Sequence, residues 1–386
     1  MGKDAVKILK NGGVTAPKGF KANGVAAGIK RSGKRDLALI VSDVPAFSAA
    51  VYTKNSVKAA PLLVSQKHLR GHKAQAIVAN SGNANCFTGK AGMTCAQRTT
   101  EIIGKLLDIP KESVVVASTG IIGRPLPFEK IQDAAKGLVD GLNAQGAKKA
   151  AEAILTTDLK EKTIAVQVNL GGKTVTIGAC AKGSGMIAPD MATMLAFITT
   201  DASISAAMLQ RALRYANERS FNSITVDGCM STNDMAVVLA NGLARNKRIV
   251  TADKDFDVFT KALSHVCLDL AKKIVIDGEG ATKFIDIRIL GGKTHAQARK
   301  AGLAVANSVL VKTAAFGSNP NWGRVAAAVG SLGIAGVTED TLKIKFSDFA
   351  RKNIMITVSL NKGRATATVY TCDLSCDYVK INGAYN

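Results

Sequence analysis

Thr193 stands where two dissimilar stretches meet in KGSGMIAPDMATMLAFITTDA (residues 182–202): a loop rich in glycine and methionine before it, an apolar run after it. A threonine hydroxyl is a weak nucleophile unless a base sits beside it, and one chemical solution is to free its own α-amine by cutting the preceding peptide bond. Ala192 suits that reaction, because a small side chain leaves its carbonyl open to the Thr193 hydroxyl. The acyl shift would give an ester that water opens, leaving a threonine whose amine is its own base. Taken alone, an Ala-Thr pair is common and proves nothing; a threonine that merely opens a strand is then the better reading.

Other chemistry-like patterns are weaker. Two GGKT tetrads (171–174 and 291–294) imitate the end of a phosphate-binding loop, but Gln167 and Ile287 replace its first glycine, and a hairpin turn between strands accounts for both. Ser184 lies in GSG, not in the Gly-x-Ser-x-Gly of a nucleophile elbow. Cys372 and Cys376, with Asp373 and Asp377, lack a second ligand pair, and His68, His72, His265 and His295 form no metal constellation. Neither a metal nor a cofactor is expected. The asparagine-rich NSGNANCFTGKAG (80–92) leads toward a helix N-terminus; it suits equally a tight loop over a polar ligand and a packed loop of asparagine-bonded turns.

The elements that must hold these groups follow from periodicity. Helical spacing over 93–107, 131–142, 206–215 and 256–274 alternates with short β-branched runs, which predicts an α/β or α+β architecture. Alternating apolar residues predict two hairpins, TIAVQVNLGGKTVTIGA about Gly171-Gly172 and NIMITVSLNKGRATATVY about Asn361-Lys362-Gly363. The first delivers the chain to Lys182, and MLAFIT after Thr193 reads as a buried strand.

A chain of 386 residues exceeds the ~250 to 300 at which single cores stop growing, so at least two lobes are expected. With 47% hydrophobic, 21% charged and 5% aromatic residues it has a globular composition, and no apolar run approaches the ~18 residues of a membrane span. The first twenty residues hold no apolar segment of signal-peptide length, which makes the cytoplasm the expected compartment. Seven dispersed cysteines read as mostly buried thiols. The net charge of +22 would attract nucleic acid or anionic substrates, but the basic residues are scattered, as in KRSGKR (30–35) and ARNKR (244–248), without aromatic interleaving. A solvated basic surface is the expectation; a basic, RNA-binding protein is the rival.

The segment 182–202 closely resembles the cleavage site of the ArgJ-type ornithine acetyltransferases, or glutamate N-acetyltransferases. Further stretches resemble that family in its order: GGVTAPKGFKANGVAAGIK, ANSGNAN (79–85), STGIIGRPLP (118–127), FNSITVDG (221–228), DGEGATK (277–283), PNWGRVAAAVG (320–330) and YVKING (378–383). The resemblance spans essentially the whole chain. It implies an α/β layered sandwich of the DmpA/ArgJ type with two lobes, self-cleaved into an α chain 1–192 and a β chain 193–386 that stay interlocked, two of each forming a heterotetramer. It implies transfer of acetyl from N2-acetylornithine to L-glutamate, and leaves open acetyl-CoA as a second donor. Residue by residue, it implies Thr193 as nucleophile, Thr119 and Gly120 as oxyanion hole, and Lys182, Glu279 and Asn382 as substrate contacts. Lys182 would hold a substrate carboxylate and help keep the Thr193 amine deprotonated, Glu279 would meet the δ-ammonium of ornithine, and Asn382 would close the pocket. The chain departs from the family in ending at Asn386 without a terminal Ser or Thr, and in carrying Cys229, Asn319 and Cys86-Phe87. A threonine amidase or aminopeptidase of the same fold, in which water takes the acyl group, is the alternative within this chemistry.

Overall fold

The computed structural model describes residues 6–188 and 194–384. They fall into two compact units: the first draws on residues up to 183, then 194–218 and 231–270, and the second on 184–188, 219–230 and 271–384. The strands of the first unit are β1 (Lys7–Ile8), β2 (Phe20–Val25), β3 (Leu37–Tyr52), β4 (Lys73–Asn83), β5 (Val114–Ile121), β6 (Lys162–Leu170), β7 (Lys173–Lys182), β8 (Leu195–Thr200) and β9 (Met235–Ala240). They form one mixed sheet in the order β1-β6-β7-β8-β9-β3-β4-β5, with β2 on β3.

Both faces of this sheet are covered, which is why its strands read as continuous apolar runs and not as a polar-apolar alternation. Along β3, Leu37, Leu39 and Val41 enter one core with Val78 and Val116, while Ala38 and Ile40 enter another with Ile77, Phe197 and Val237. The first core takes Ile103 from the helix Gly89–Leu107 and Ile131, Ala135 and Leu138 from the helix Phe128–Asp140. The second takes Ala150, Ala151 and Ala153 from the helix Ala147–Ala153. The helices expected over 93–107, 131–142, 206–215 and 256–274 are present as Gly89–Leu107, Phe128–Asp140, Ala206–Glu218 and Lys254–Ile276.

The predicted hairpin about Gly171-Gly172 is β6–β7, paired antiparallel from Leu170 opposite Lys173 to Lys162 opposite Ala181. Both glycines have positive φ, 54° and 85°, the left-handed conformation that a two-residue turn requires. MLAFIT is indeed a buried strand: β8 pairs antiparallel with β7, Ile177 opposite Thr200 through Lys182 opposite Leu195, and parallel with β9. The pair β8–β9 is therefore set between β7 on one side and β3 on the other.

The second unit holds β10 (Phe284–Gly292), β11 (Lys343–Phe346), β12 (Asn353–Ser359) and β13 (Ala365–Cys372), in the order β11-β12-β10-β13. Ile285, Ile287 and Ile289 of β10 face a core shared with Ile354, Ile356 and Val358 of β12 and with Ala298, Ala301 and Val305 of the helix His295–Asn307. Two expectations are corrected here. The strands either side of Asn361-Lys362-Gly363 are not a hairpin, because β10 lies between them, parallel to β12 and antiparallel to β13. Alternation fixes which residues face the core but not which strand is the neighbour. The GGKT at 291–294 is likewise no hairpin turn: Gly291-Gly292 ends β10, and Thr294 caps the helix His295–Asn307, its side chain accepting from the Gln297 N–H at 3.1 Å. Five of the seven cysteines are buried thiols, and Cys229 and Cys376 are exposed. Among the described residues no helix is long and apolar enough to cross a membrane.

Candidate active site

Two parallel strands build the candidate oxyanion hole. In the β4–β5 register Ser81 lies opposite Thr119 and Gly82 opposite Gly120. Gly120 has φ +132°, and a Cβ there would come within 2.4 Å of the Gly82 carbonyl carbon and 2.5 Å of Asn83 N. Only glycine fits so close an approach of two backbones. Thr119 beside it is buried. The asparagine-rich loop braces this place: the Ser118 hydroxyl donates to Asn80 Oδ1 at 2.6 Å, and the Asn83 amide donates to the carbonyls of Arg124 and Pro125. Asn85 donates to the Gly92 carbonyl at 3.0 Å. Of the two readings of this loop, the packed one with asparagine-bonded turns is what these bonds build.

The start of β8 is tied to the same place. Met194, the residue after Thr193, donates its N–H to Asp234 Oδ1 at 2.9 Å, and Asn233 next door donates its amide to the carbonyls of Ser118 (2.8 Å) and Ala84 (2.6 Å). Asp234 is fully buried; burial pushes its carboxyl well above the ordinary range, against the opposing pull of the Met194 N–H and of Lys182. Lys182 ends β7 opposite Leu195, the second residue after Thr193 in the sequence. Its ammonium lies 3.7 Å from the buried carboxylate of Asp158, which also accepts from Lys162 at 2.7 Å. Burial alone would raise the Asp158 pKa, but the two lysines and the Gly183 N–H hold it far below the usual carboxylate range. Ala192 and Thr193 lie outside the described residues.

The second unit carries Glu279 and Asn382, and it brings them together: the Asn382 amide donates to Glu279 Oε2 at 2.8 Å. Glu279 is buried, its N–H donates to the Ser184 carbonyl, and its carboxylate occupies the space a Cβ on Gly185 would need, 2.2 Å from Oε2. The chain beyond Gly185 is pinned by Asp227, which accepts from the N–H groups of Met186 (2.6 Å), Ile187 (2.9 Å) and Cys229 (3.1 Å) and from the Tyr378 hydroxyl (3.2 Å). Met186 is held at φ +56°, uncommon for a residue with a side chain. Burial raises the Asp227 carboxyl, and these donors pull it back.

Asp158, Asp227, Asn233 and Asp234 were not singled out from sequence. Asp158 sits in TTDLKEK, which reads as a solvated charge run, and the other three share VDGCMSTND (226–234), whose density of small polar residues was the available signal.

The ArgJ family model matches residues 21–386. The chain belongs to the ArgJ family. Its relatives include proteins named arginine biosynthesis bifunctional protein ArgJ from Gloeobacter violaceus, 49% identical over 97% of this chain and 98% of the relative, and from Symbiobacterium thermophilum, 48% identical over the same shares. A crystal structure of the ArgJ protein of Bacillus halodurans, 46% identical, aligns with 49% of this chain and 98% of its own, with a TM-score of 0.47.

Proposed function

We propose that this ArgJ family member is a glutamate N-acetyltransferase of arginine biosynthesis, moving acetyl from N2-acetylornithine to L-glutamate through an ester on Thr193. The observation that carries the reading is the convergence at the start of β8: Lys182 is paired with Leu195, and Asn233-Asp234 link Met194 to the carbonyl of Ser118, next to Thr119. A nucleophile, a cation and two oxyanion donors are the parts that acyl transfer needs.

The Thr193 hydroxyl first attacks the Ala192 carbonyl; the Ala192–Thr193 C–N bond breaks, freeing the Thr193 amine and leaving Ala192 as an ester on Oγ, and water hydrolyses that ester to an Ala192 carboxylate and a free Thr193 hydroxyl. In turnover that amine takes the proton from Oγ as Oγ attacks the acetyl carbon of acetylornithine. Thr119 Oγ and the Gly120 N–H receive the oxyanion. Collapse returns the proton to the departing α-amine of ornithine, and the α-amine of glutamate attacks the acetyl ester by the same path in reverse. Lys182 meets the carboxylate common to both substrates, while Glu279, with Asn382 as its partner, meets the δ-ammonium of ornithine. The pairing of β7 with β8 supports products 1–192 and 193–386 that stay together; a heterotetramer of two of each, in the cytoplasm, is what the family resemblance implies. Relatives are named bifunctional, and acetyl-CoA acylating the same threonine is the second donor that the family resemblance leaves open.

Intact mass tests the reading. Two fragments with a junction at Ala192-Thr193 are expected, and acetylornithine without glutamate should add one acetyl, about 42 Da, to the fragment beginning at Thr193. An unacetylated fragment under rapid quench, with intersecting initial-rate lines, would favour direct transfer in a ternary complex. Release of acetate in water at a rate indifferent to glutamate would favour the amidase.

A further inference from the structure

Asp158 lies between the helix Ala147–Ala153 and β6, and its side chain has no solvent exposure. Its Oδ1 accepts from the Lys162 ammonium at 2.7 Å and from the Gly183 N–H at 2.7 Å. Its Oδ2 accepts from the Thr156 N–H at 3.1 Å and lies 3.7 Å from the Lys182 ammonium. The two lysine side chains are only 2% and 3% exposed.

The two lysines are not held alike. Lys162 makes a tight ion pair and donates also to the Lys160 carbonyl at 3.2 Å, so it is anchored locally. Lys182 stands 3.7 Å from the carboxylate, an ion pair at a distance longer than a hydrogen bond. Among the described residues, Asp234 and Lys30 do not replace Asp158. Asp234 also faces Lys182, but burial favours its neutral form; Lys30, lowered to about 8 by burial against the pull of Asp36 and Asp158, adds a second repulsive cation. Through the Gly183 N–H, the same carboxylate also fixes the chain where it leaves β7.

We infer that Asp158 is a positioning residue for substrate binding: it holds the Lys182 ammonium charged and in place for a substrate carboxylate, with Lys162 as the counter-cation that anchors it. This rests on the assignment of Lys182 to substrate, so the experiment must separate the two. In the self-cleaved enzyme, KM for acetylornithine and for glutamate would be measured from pH 6 to 9, at roughly one-unit steps, in Asp158→Asn, Lys162→Met, Lys182→Met and the double variant Asp158→Asn/Lys182→Met. Asn keeps an acceptor for the Gly183 N–H and removes the charge. The ammonium of Lys182 then loses its anion and deprotonates more readily, so KM for both substrates should climb with pH by roughly tenfold or more, one pKa unit being a factor of ten. Lys162→Met should lose thermal stability but keep the wild-type pH profile of KM. In the Lys182→Met background the Asp158 substitution should add nothing to KM. Equal KM changes in Asp158→Asn and Lys162→Met, or an Asp158 effect undiminished without Lys182, would overturn the inference. Unchanged KM in Lys182→Met would instead remove the assignment of Lys182. Should Asp158→Asn not fold, Asp158→Glu keeps the charge but displaces it; a KM raised several-fold with a flat pH profile is expected, and an unchanged KM would overturn the inference.

Discussion

The ends of β5, β7 and β8 and the Glu279–Asn382 pair represent two ways of holding a functional side chain. In the large sheet each group inherits its place from backbone register: Gly120 is fixed opposite Gly82, Lys182 opposite Leu195, and the intervening carboxylates are buried and bonded to main-chain N–H groups. Glu279 is also buried, but Asn382 comes from the short helix Cys376–Gly383, which buries none of its residues, and a single side-chain hydrogen bond joins the two. Groups that must meet developing charge belong on a frame that does not reorganise. A group that discriminates between side chains of substrates can sit on a lighter support, where its loss costs binding and leaves the chemical step in place.

Thr193→Ala bears most heavily on this contrast: it should remain one 386-residue chain on a denaturing gel and show no transfer, and any cleavage at that bond would break the sheet side of the comparison. Thr119→Val, which keeps shape and removes one donor, should lower kcat by about 10²- to 10³-fold, read in steady-state transfer assays, with KM little changed. Glu279→Gln should spare self-cleavage and weaken acetylornithine by about 1.5 to 3 kcal/mol, seen as a raised KM; glutamate, which lacks the ammonium, should be affected less. If both substrates weaken equally, Glu279 is not the discriminating group.

The smallest effect is a pH slope in stability. Asp234 is raised in the folded protein, so its contribution is fully present below the unfolded pKa of about 3.9 and is lost as pH rises through the folded value. Asp158 is depressed, so its contribution is present above that same unfolded value and disappears as pH falls. Asp234→Asn should therefore flatten the decline of melting temperature toward high pH and leave the acid limb governed by Asp158. A decline as steep as in the wild type would place the cause elsewhere.

Much of the frame was legible in the sequence because its strands are strongly apolar. MLAFIT had to be buried, and Gly171-Gly172 had to turn. What periodicity could not supply was adjacency, and so β10 went unforeseen between β12 and β13. The site was legible in the same proportion. Thr119, Gly120 and Lys182 stand in motifs of the ArgJ family, whereas Asp158 looks from its neighbours like a surface residue, its burial depending on two lysines folding inward toward it. Asp227 and Asp234 act on backbone N–H groups brought near by the fold, and no spacing along the chain announces such a bond.

The placement of β8–β9 between β7 and β3 has a consequence for how the protein is made. While the chain is whole, β8 finds β7 at the high effective concentration set by a short tether. After cutting, the same pairing becomes a second-order encounter, and the strand pair would have to enter a slot already bounded on both sides. The uncut precursor should refold from denaturant at a rate independent of concentration, while the cut protein refolds slowly, incompletely and in proportion to its concentration. Scission would thus turn a reversible folding equilibrium into a state preserved by its unfolding barrier, a property of the molecule's history and not of its composition.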